Sequence, residues 1–253
     1  MARGRLVAEA ILDYTPGPDM IPIAPDIWHV PVAPLKFPGG ARMPLASTVI
    51  RLPDRSLVLY SPGRLDDATC AAIDAEGEVR HIVAPSKLHH LFAGNAAQRW
   101  PQAQLYGAPG LAAKRKDLTF HHELAGPVDA WRDVIDVEVF GGAPSLNEVV
   151  LFHRPSGTLV CADFVFNVTQ PVNWQTRMVL ALTGSGGKEV RQSRFFTFGV
   201  KDRAAARASI DRILAWPIRY VSPVHGEHVA IDAETLAPKL SRSYGGKVPV
   251  TAP

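Results

Sequence analysis

The chain has 253 residues, 47% hydrophobic and 20% charged, with a formal net charge of +3. That apolar share is ample for a buried core and excludes a disordered or fibrous chain, while charges scattered singly offer no basic block for a nucleic-acid groove. No window approaches the roughly 18 consecutive apolar residues of a membrane helix.

The short apolar stretch near the N-terminus is broken at Glu9, which leaves no signal-peptide core and predicts a cytoplasmic protein. Its expected partner is a small-molecule substrate, with no nucleic acid and no membrane. Cys70 and Cys161 are too few for a disulfide scaffold and too far apart for a Cys-x-x-Cys site, so both read as reduced packing residues.

In chain order, residues 1–26 read as an N-terminal extension packed on the domain, and 27–253 as a single domain. The 22 prolines and 20 glycines are spread throughout and punctuate many short elements. β-branched, alternating runs predict strands over 48–52, 56–60 and 79–84, with a helix over 67–75 between the last two and another over 90–100. Strands follow over 134–140, 148–153 and 158–163. Residues 202–216 predict a helix, capped by Asp202, presenting Ile210, Ile213 and Leu214 on one face and stopped by Pro217. A strand over 218–224 comes last. Strands first, then strands alternating with helices, point to an α/β protein with its helices outside.

In such folds chemistry collects on loops beyond strand ends. Three strand ends carry histidine or carboxylate: Pro85-Ser86-Lys87-Leu88-His89-His90, Cys161-Ala162-Asp163-Phe164 and Val224-His225-Gly226-Glu227-His228. Imidazole and carboxylate are ligands that zinc, iron or manganese accept, so His89, His90, Asp163 and His225 are candidate metal ligands. Spacing alone does not bring them together, since a His-His pair at a helix start is often solvated and an Asp ending a strand is often a cap or turn former. Glu227 and His228, beside His225, are candidates for proton transfer or for orienting it. His153, His29, His81, His121 and His122 read as structural or solvated. The aromatic stretch 164–174 could wall a cleft.

Residues 27–228 resemble the metallo-β-lactamase superfamily, and within it a divergent branch described only as a domain of unknown function. The superfamily motif Thr-His-x-His-x-Asp-His falls on Ala84-Pro85-Ser86-Lys87-Leu88-His89-His90. Residues 158–167 are similar to the strand ending in the bridging aspartate, and 223–226 match the closing histidine. The branch is resembled at Ser61-Pro62, Ala108-Pro109-Gly110-Leu111 and Phe152-His153-Arg154-Pro155. The resemblance implies an αββα four-layer sandwich.

It also implies an altered site. Pro85 and Lys87 stand where the superfamily has the first two histidines of its first metal site, and Gly142 or Ala143 where it has the third, so that site is expected to be absent. His90, Asp163 and His225 fall on the ligands of the second site, and His89 replaces an aspartate. Four ligands would close a tetrahedral zinc, so hydrolysis requires one to stay loose or the metal to expand its coordination, and His89, adjacent to His90, is the first expected to be loose. Lys87, standing where the first metal would be, is a candidate for orienting an anionic or carbonyl-bearing substrate, the alternative being a solvated surface lysine.

The implied function is a mononuclear hydrolase of a small ester, lactone, amide or phosphate-containing substrate. It would use one metal-bound water on one divalent ion, zinc ahead of iron or manganese. A non-haem iron redox enzyme and a metal-free binding protein are the alternatives.

Overall fold

Strand β4 (Ser56–Tyr60) displays the logic of the layers. All five residues are buried, yet Val58 and Tyr60 join one apolar cluster and Leu57 and Leu59 another, because successive side chains leave a strand on opposite faces. Strand β9 (Val149–His153) does the same, with Val149 and Leu151 in the cluster shared with β4, and Val150 and Phe152 in a third. Two sheets buried on both faces require helices outside, which gives four layers. The structure is a computed structural model that describes residues 20–245.

The first sheet contains β1 (Ile21–Ala24), β2 (Ile27–Lys36), β3 (Arg42–Arg51), β4, β5 (Glu78–Ala84), β6 (Gln104–Gly107) and β7 (His122–Glu123), side by side in chain order. Pairing is antiparallel up to β4 and parallel from β4 onward. The second sheet has the order β12-β11-β10-β9-β8, from β8 (Ile135–Val139), β9, β10 (Thr158–Cys161), β11 (Tyr220–Pro223) and β12 (Val229–Ala230). Its one parallel pair is β10 with β11, so these two strands end at the same edge.

Helices α1 (Asp67–Glu76) and α2 (Ala93–Arg99) cover the first sheet through Cys70, Ile73, Ala93 and Ala96. After the single turn α3 (Leu111–Lys114), the crossover from β10 to β11 supplies α4 (Trp174–Thr183), α5 (Arg194–Gly199) and α6 (Arg203–Leu214). Ile210 and Ile213 of α6 are fully buried against the second sheet, worth roughly 1.5–3 kcal/mol each. Arg212 adds a bidentate pair with Glu138 of β8, at 2.6 and 2.9 Å. The described residues then end with α7 (Ala233–Leu236), a 3-10 turn (Ala237–Leu240) and α8 (Ser241–Tyr244).

The predicted αββα four-layer sandwich is therefore the observed fold. Asp66 caps α1 through the Thr69 amide, and Asp202 caps α6 through the amides of Ala204 and Ala205. Two expectations need correction. The helix expected over 90–100 begins only at Ala93, because Phe92 offers no side-chain cap and His90–Phe92 form a turn. β2, β6, α4 and α5 were not expected from the sequence. Of the expected N-terminal extension, residues 1–19 lie outside the described residues, and the remainder supplies edge strand β1. Both cysteines are free and buried, and no helix among the described residues is long and apolar enough to cross a membrane.

Candidate metal centre

The loop after β5 is fixed from both sides. The Val149 amide donates to the Pro85 carbonyl at 2.7 Å, and the Lys87 amide to the Leu146 carbonyl at 2.9 Å, which ties the loop to the second sheet. The buried Ser86 hydroxyl accepts from the amides of Leu88 at 3.2 Å and His89 at 3.0 Å. This serine turn folds the chain back on itself and sends the adjacent imidazoles to different neighbours.

His89 meets Asp163, which follows β10, and His225, which follows β11. One ligand atom from each lies within 4.8 Å of the others. His89 Nε2 stands 3.3 Å from Asp163 Oδ2, and His225 Nε2 stands 3.3 Å from Asp163 Oδ1. His225 Nδ1 is 3.0 Å from the Pro44 carbonyl. A carbonyl only accepts, so Nδ1 carries a proton and donates it to Pro44, which fixes the ring with Nε2 toward Asp163. Phe166 stacks on the same ring, 4.5 Å between centroids. His89 Nδ1 hydrogen-bonds with the Ser61 hydroxyl at 3.2 Å.

Burial alone would raise the Asp163 carboxyl, but the His89 and His225 rings outweigh it and hold the group well below the usual carboxylate range. Burial likewise opposes charge on His89, and Asp163 overcomes it, raising that imidazole. Asp163 Oδ2 is nevertheless buried with no hydrogen-bond partner. Two imidazoles facing one buried carboxylate are a donor set that zinc, iron or manganese accepts.

His90 does not join this group. Its Nδ1 accepts from Arg115 Nη1 at 2.9 Å, and the same guanidinium nitrogen donates to the His90 carbonyl. Burial and the nearby Lys114 and Arg115 charges lower His90 to about 4. The expected roles of the two neighbours are thus exchanged: His89 faces the aspartate, while His90 spends its acceptor nitrogen on a cation that would repel a metal.

Lys87 lines the same cavity as the trio, and its Nζ donates to the Pro144 carbonyl at 2.9 Å. Glu227 and His228 do not line that cavity. The Glu227 carboxylate accepts from the Thr169 hydroxyl at 3.2 Å, and the His228 ring packs against His29 at 5.5 Å between centroids. Gly226 causes this separation. Its φ is +103°, and a Cβ there would stand 2.0 Å from the Asn167 carbonyl oxygen, so the turn releases His225 inward and sends the next residues along Asn167. Gly142 has a comparable duty, since a Cβ would lie 2.0 Å from the Asp202 carbonyl at the start of α6.

Sequence reasoning missed Glu148 as a site residue. Fully buried, its carboxylate accepts three backbone amides in the loop carrying the aspartate: Ala162 at 2.8 Å, Asp163 at 2.9 Å and Phe164 at 3.1 Å. Burial and then the Asp163 charge push Glu148 up to about 8. The available signal was a carboxylate opening an otherwise apolar strand, a placement rarely tolerated without partners. Ser61 was marked only as part of the resemblance. It adopts φ +50°, held by its amide on Val83 at 2.9 Å and its carbonyl under the Ser47 hydroxyl at 3.0 Å.

The trio opens into a cavity of about 500 Å³ bounded by β2, β3, the loop after β5 and the α4–α5 region. Three candidate ligands beside an open space match the pattern of catalytic metal sites, whereas structural sites are closed by a fourth.

Solved structures with this fold include a metallo-β-lactamase from Pontibacter korlensis, 17% identical over 89% of this chain and 98% of that one, with a TM-score of 0.60. A metallo-β-lactamase from Hirschia baltica is 12% identical over 90% and 96%, also at 0.60. A metal-soaked flavodiiron core from Synechocystis is 13% identical over 90% of this chain and 60% of that one, at 0.59. No curated protein matches the chain. Residues 39–182 of the 253 match the family described as Domain of unknown function (DUF4336), and the chain, built on the metallo-β-lactamase fold, belongs to that family.

Proposed function

We propose that the protein is a metal-dependent hydrolase acting on a small ester, lactone, amide or phosphate-containing substrate, with a single divalent ion, zinc by preference, held by His89, Asp163 and His225. The observation that carries this reading is the convergence of those three side chains at an open cavity, with the buried Asp163 carboxylate facing both imidazoles. A divalent ion bound there supplies Lewis-acid polarisation and activation of water.

The chain's own groups do the rest. The Pro44 carbonyl fixes the His225 tautomer, Ser61 steadies His89, and Glu148 holds the Asp163 backbone. Lys87 faces the cavity and orients a substrate carbonyl or anion as it enters. Glu227 and His228, away from that cavity, have no direct part. Two buried free thiols suit a reducing compartment such as the cytoplasm.

Elemental analysis of protein purified without added metal, paired with a panel of ester, lactone, amide and phosphoester substrates, tests the reading. About one zinc per chain together with hydrolysis that a chelator abolishes supports it. Iron without hydrolysis turns it to the redox alternative, and no bound metal turns it to a binding protein.

A further inference from the structure

The walls of the cavity carry information that its floor does not. Apolar side chains exposed singly are ordinary on a protein surface, whereas a cluster around a concavity marks a binding site. Among the described residues ten large apolar side chains stand exposed, and four of them, Phe37, Leu88, Leu91 and Phe195, line this one cavity. Phe195 is 56% exposed, Leu91 46% and Phe37 44%, so the mouth is apolar as well as the interior.

Charge at the cavity is one-sided. Among the described residues Asp163 is its only lining carboxylate, and it already faces two imidazoles. Lys87 and Lys114 line the same cavity, and their ammonium groups lie on carbonyls rather than carboxylates: Lys87 on Pro144, Lys114 on the Lys87 backbone. An ammonium has three donors, so each lysine keeps its charge unneutralised and donors to spare. An apolar chamber with two uncompensated cations beside the His89 loop selects a ligand having a hydrocarbon body and an anionic head.

We propose that the cavity binds a medium-chain amphipathic carboxylate, its chain against Phe37, Leu91 and Phe195 and its head group held by Lys87 and Lys114. Resting on the hydrolase reading, this narrows the substrate class to molecules that combine an anionic group with an apolar chain. The binding itself does not depend on a metal.

The test is calorimetric titration with decanoate, octanoate and decanol below the concentrations at which they form micelles, using both metal-loaded and chelator-stripped protein. Decanoate binds both forms, about 15-fold more tightly than octanoate, the gain expected from burying two further methylenes. Lys87→Met combined with Lys114→Met weakens decanoate about tenfold or more and leaves decanol unchanged, whereas Lys87→Arg with Lys114→Arg retains decanoate binding. Absence of decanoate binding, equal binding by the double Met variant, loss of binding by the double Arg variant, or binding that vanishes when metal is stripped would each overturn the proposal. Decanoate binding by a chain that takes up no metal sinks the hydrolase reading and leaves this one standing. Metal uptake and hydrolysis without decanoate binding does the reverse.

Discussion

Glu148 holds Asp163 by its backbone rather than its side chain. Glu148 Oε2 accepts the Asp163 amide at 2.9 Å, so two buried carboxylates lie close together, one fastening the loop and the other facing the histidines. Burial, and after it the Asp163 charge, push Glu148 up to about 8, while the two imidazoles hold Asp163 down, so environment gives the pair opposite duties.

Glu148→Ala leaves three buried amides unpaired. At about 1–3 kcal/mol for each orphaned group, not fully additive, the loss of stability is expected to reach at least about 3 kcal/mol in urea denaturation. Glu148→Gln, which keeps one accepting oxygen, is expected to fold and to weaken metal binding by about 10- to 100-fold. Unchanged stability in the alanine variant would rule out the fastening role.

The two adjacent histidines make opposite predictions. His89→Ala is expected to abolish stoichiometric metal uptake, and His90→Ala to leave it intact while freeing Arg115. Elemental analysis of both variants after identical loading decides the matter. Loss of metal in His90→Ala alone would return that residue to the ligand set.

Gly226→Ala places a methyl group 2.0 Å from the Asn167 carbonyl oxygen at a φ of +103°. The strand ends must part, at a cost of about 2 kcal/mol or more, and His225 must move with them. A lowered Tm accompanied by weakened metal affinity is the expected result. An unchanged Tm would show that this approach is not required.

His153 reports on acid stability. Burial lowers it to about 4, its Nδ1 hydrogen-bonds with Ser156 at 2.7 Å, and its Nε2 is buried without a partner. The folded imidazole therefore resists a proton that the unfolded one accepts below about 6.5. The unfolded state binds more protons in that window, so stability is full above pH 6.5 and falls as pH drops toward 4. The ring contributes up to about 3 kcal/mol to that fall. His153→Gln should reduce the slope of stability against pH between these limits by about one proton, measured by urea denaturation across the range.

What the sequence disclosed depended on how local the cause was. Strand β4 and helix α6 were legible because alternation, a cap at Asp202 and apolar spacing lie within each segment. Strand β2 was not, since Pro31 and Pro34 read as breakers. They are tolerated because β1 pairs only with Ile27–His29, which leaves the later part of β2 an edge where the register shifts between Val32 and Leu35. Helix α4 was obscured by its exposed Trp174, Met178 and Leu182, which blur the apolar face by which a helix is recognised. Asp163 and His225 were legible as candidates because strand ends are where ligands gather, and the structure brings them together. The choice between His89 and His90 turns on the Ser86 hydroxyl and on Arg115, 25 residues away, and Glu148 matters only once the loop of Asp163 folds over it. Long-range pairings of this kind leave no local pattern.

The two sheets are built from consecutive halves of the chain, strands β1 to β7 before residue 124 and β8 to β12 after residue 134, and the three candidate ligands are divided one to two between them. A cation gripped by all three is thus a rivet through the sandwich, whose loss loosens the seam rather than either half alone. Cut in the connection between β7 and β8, the polypeptide would yield one piece with one of the three candidate ligands, His89, and another with the remaining two, Asp163 and His225, neither holding the full set until they reassemble.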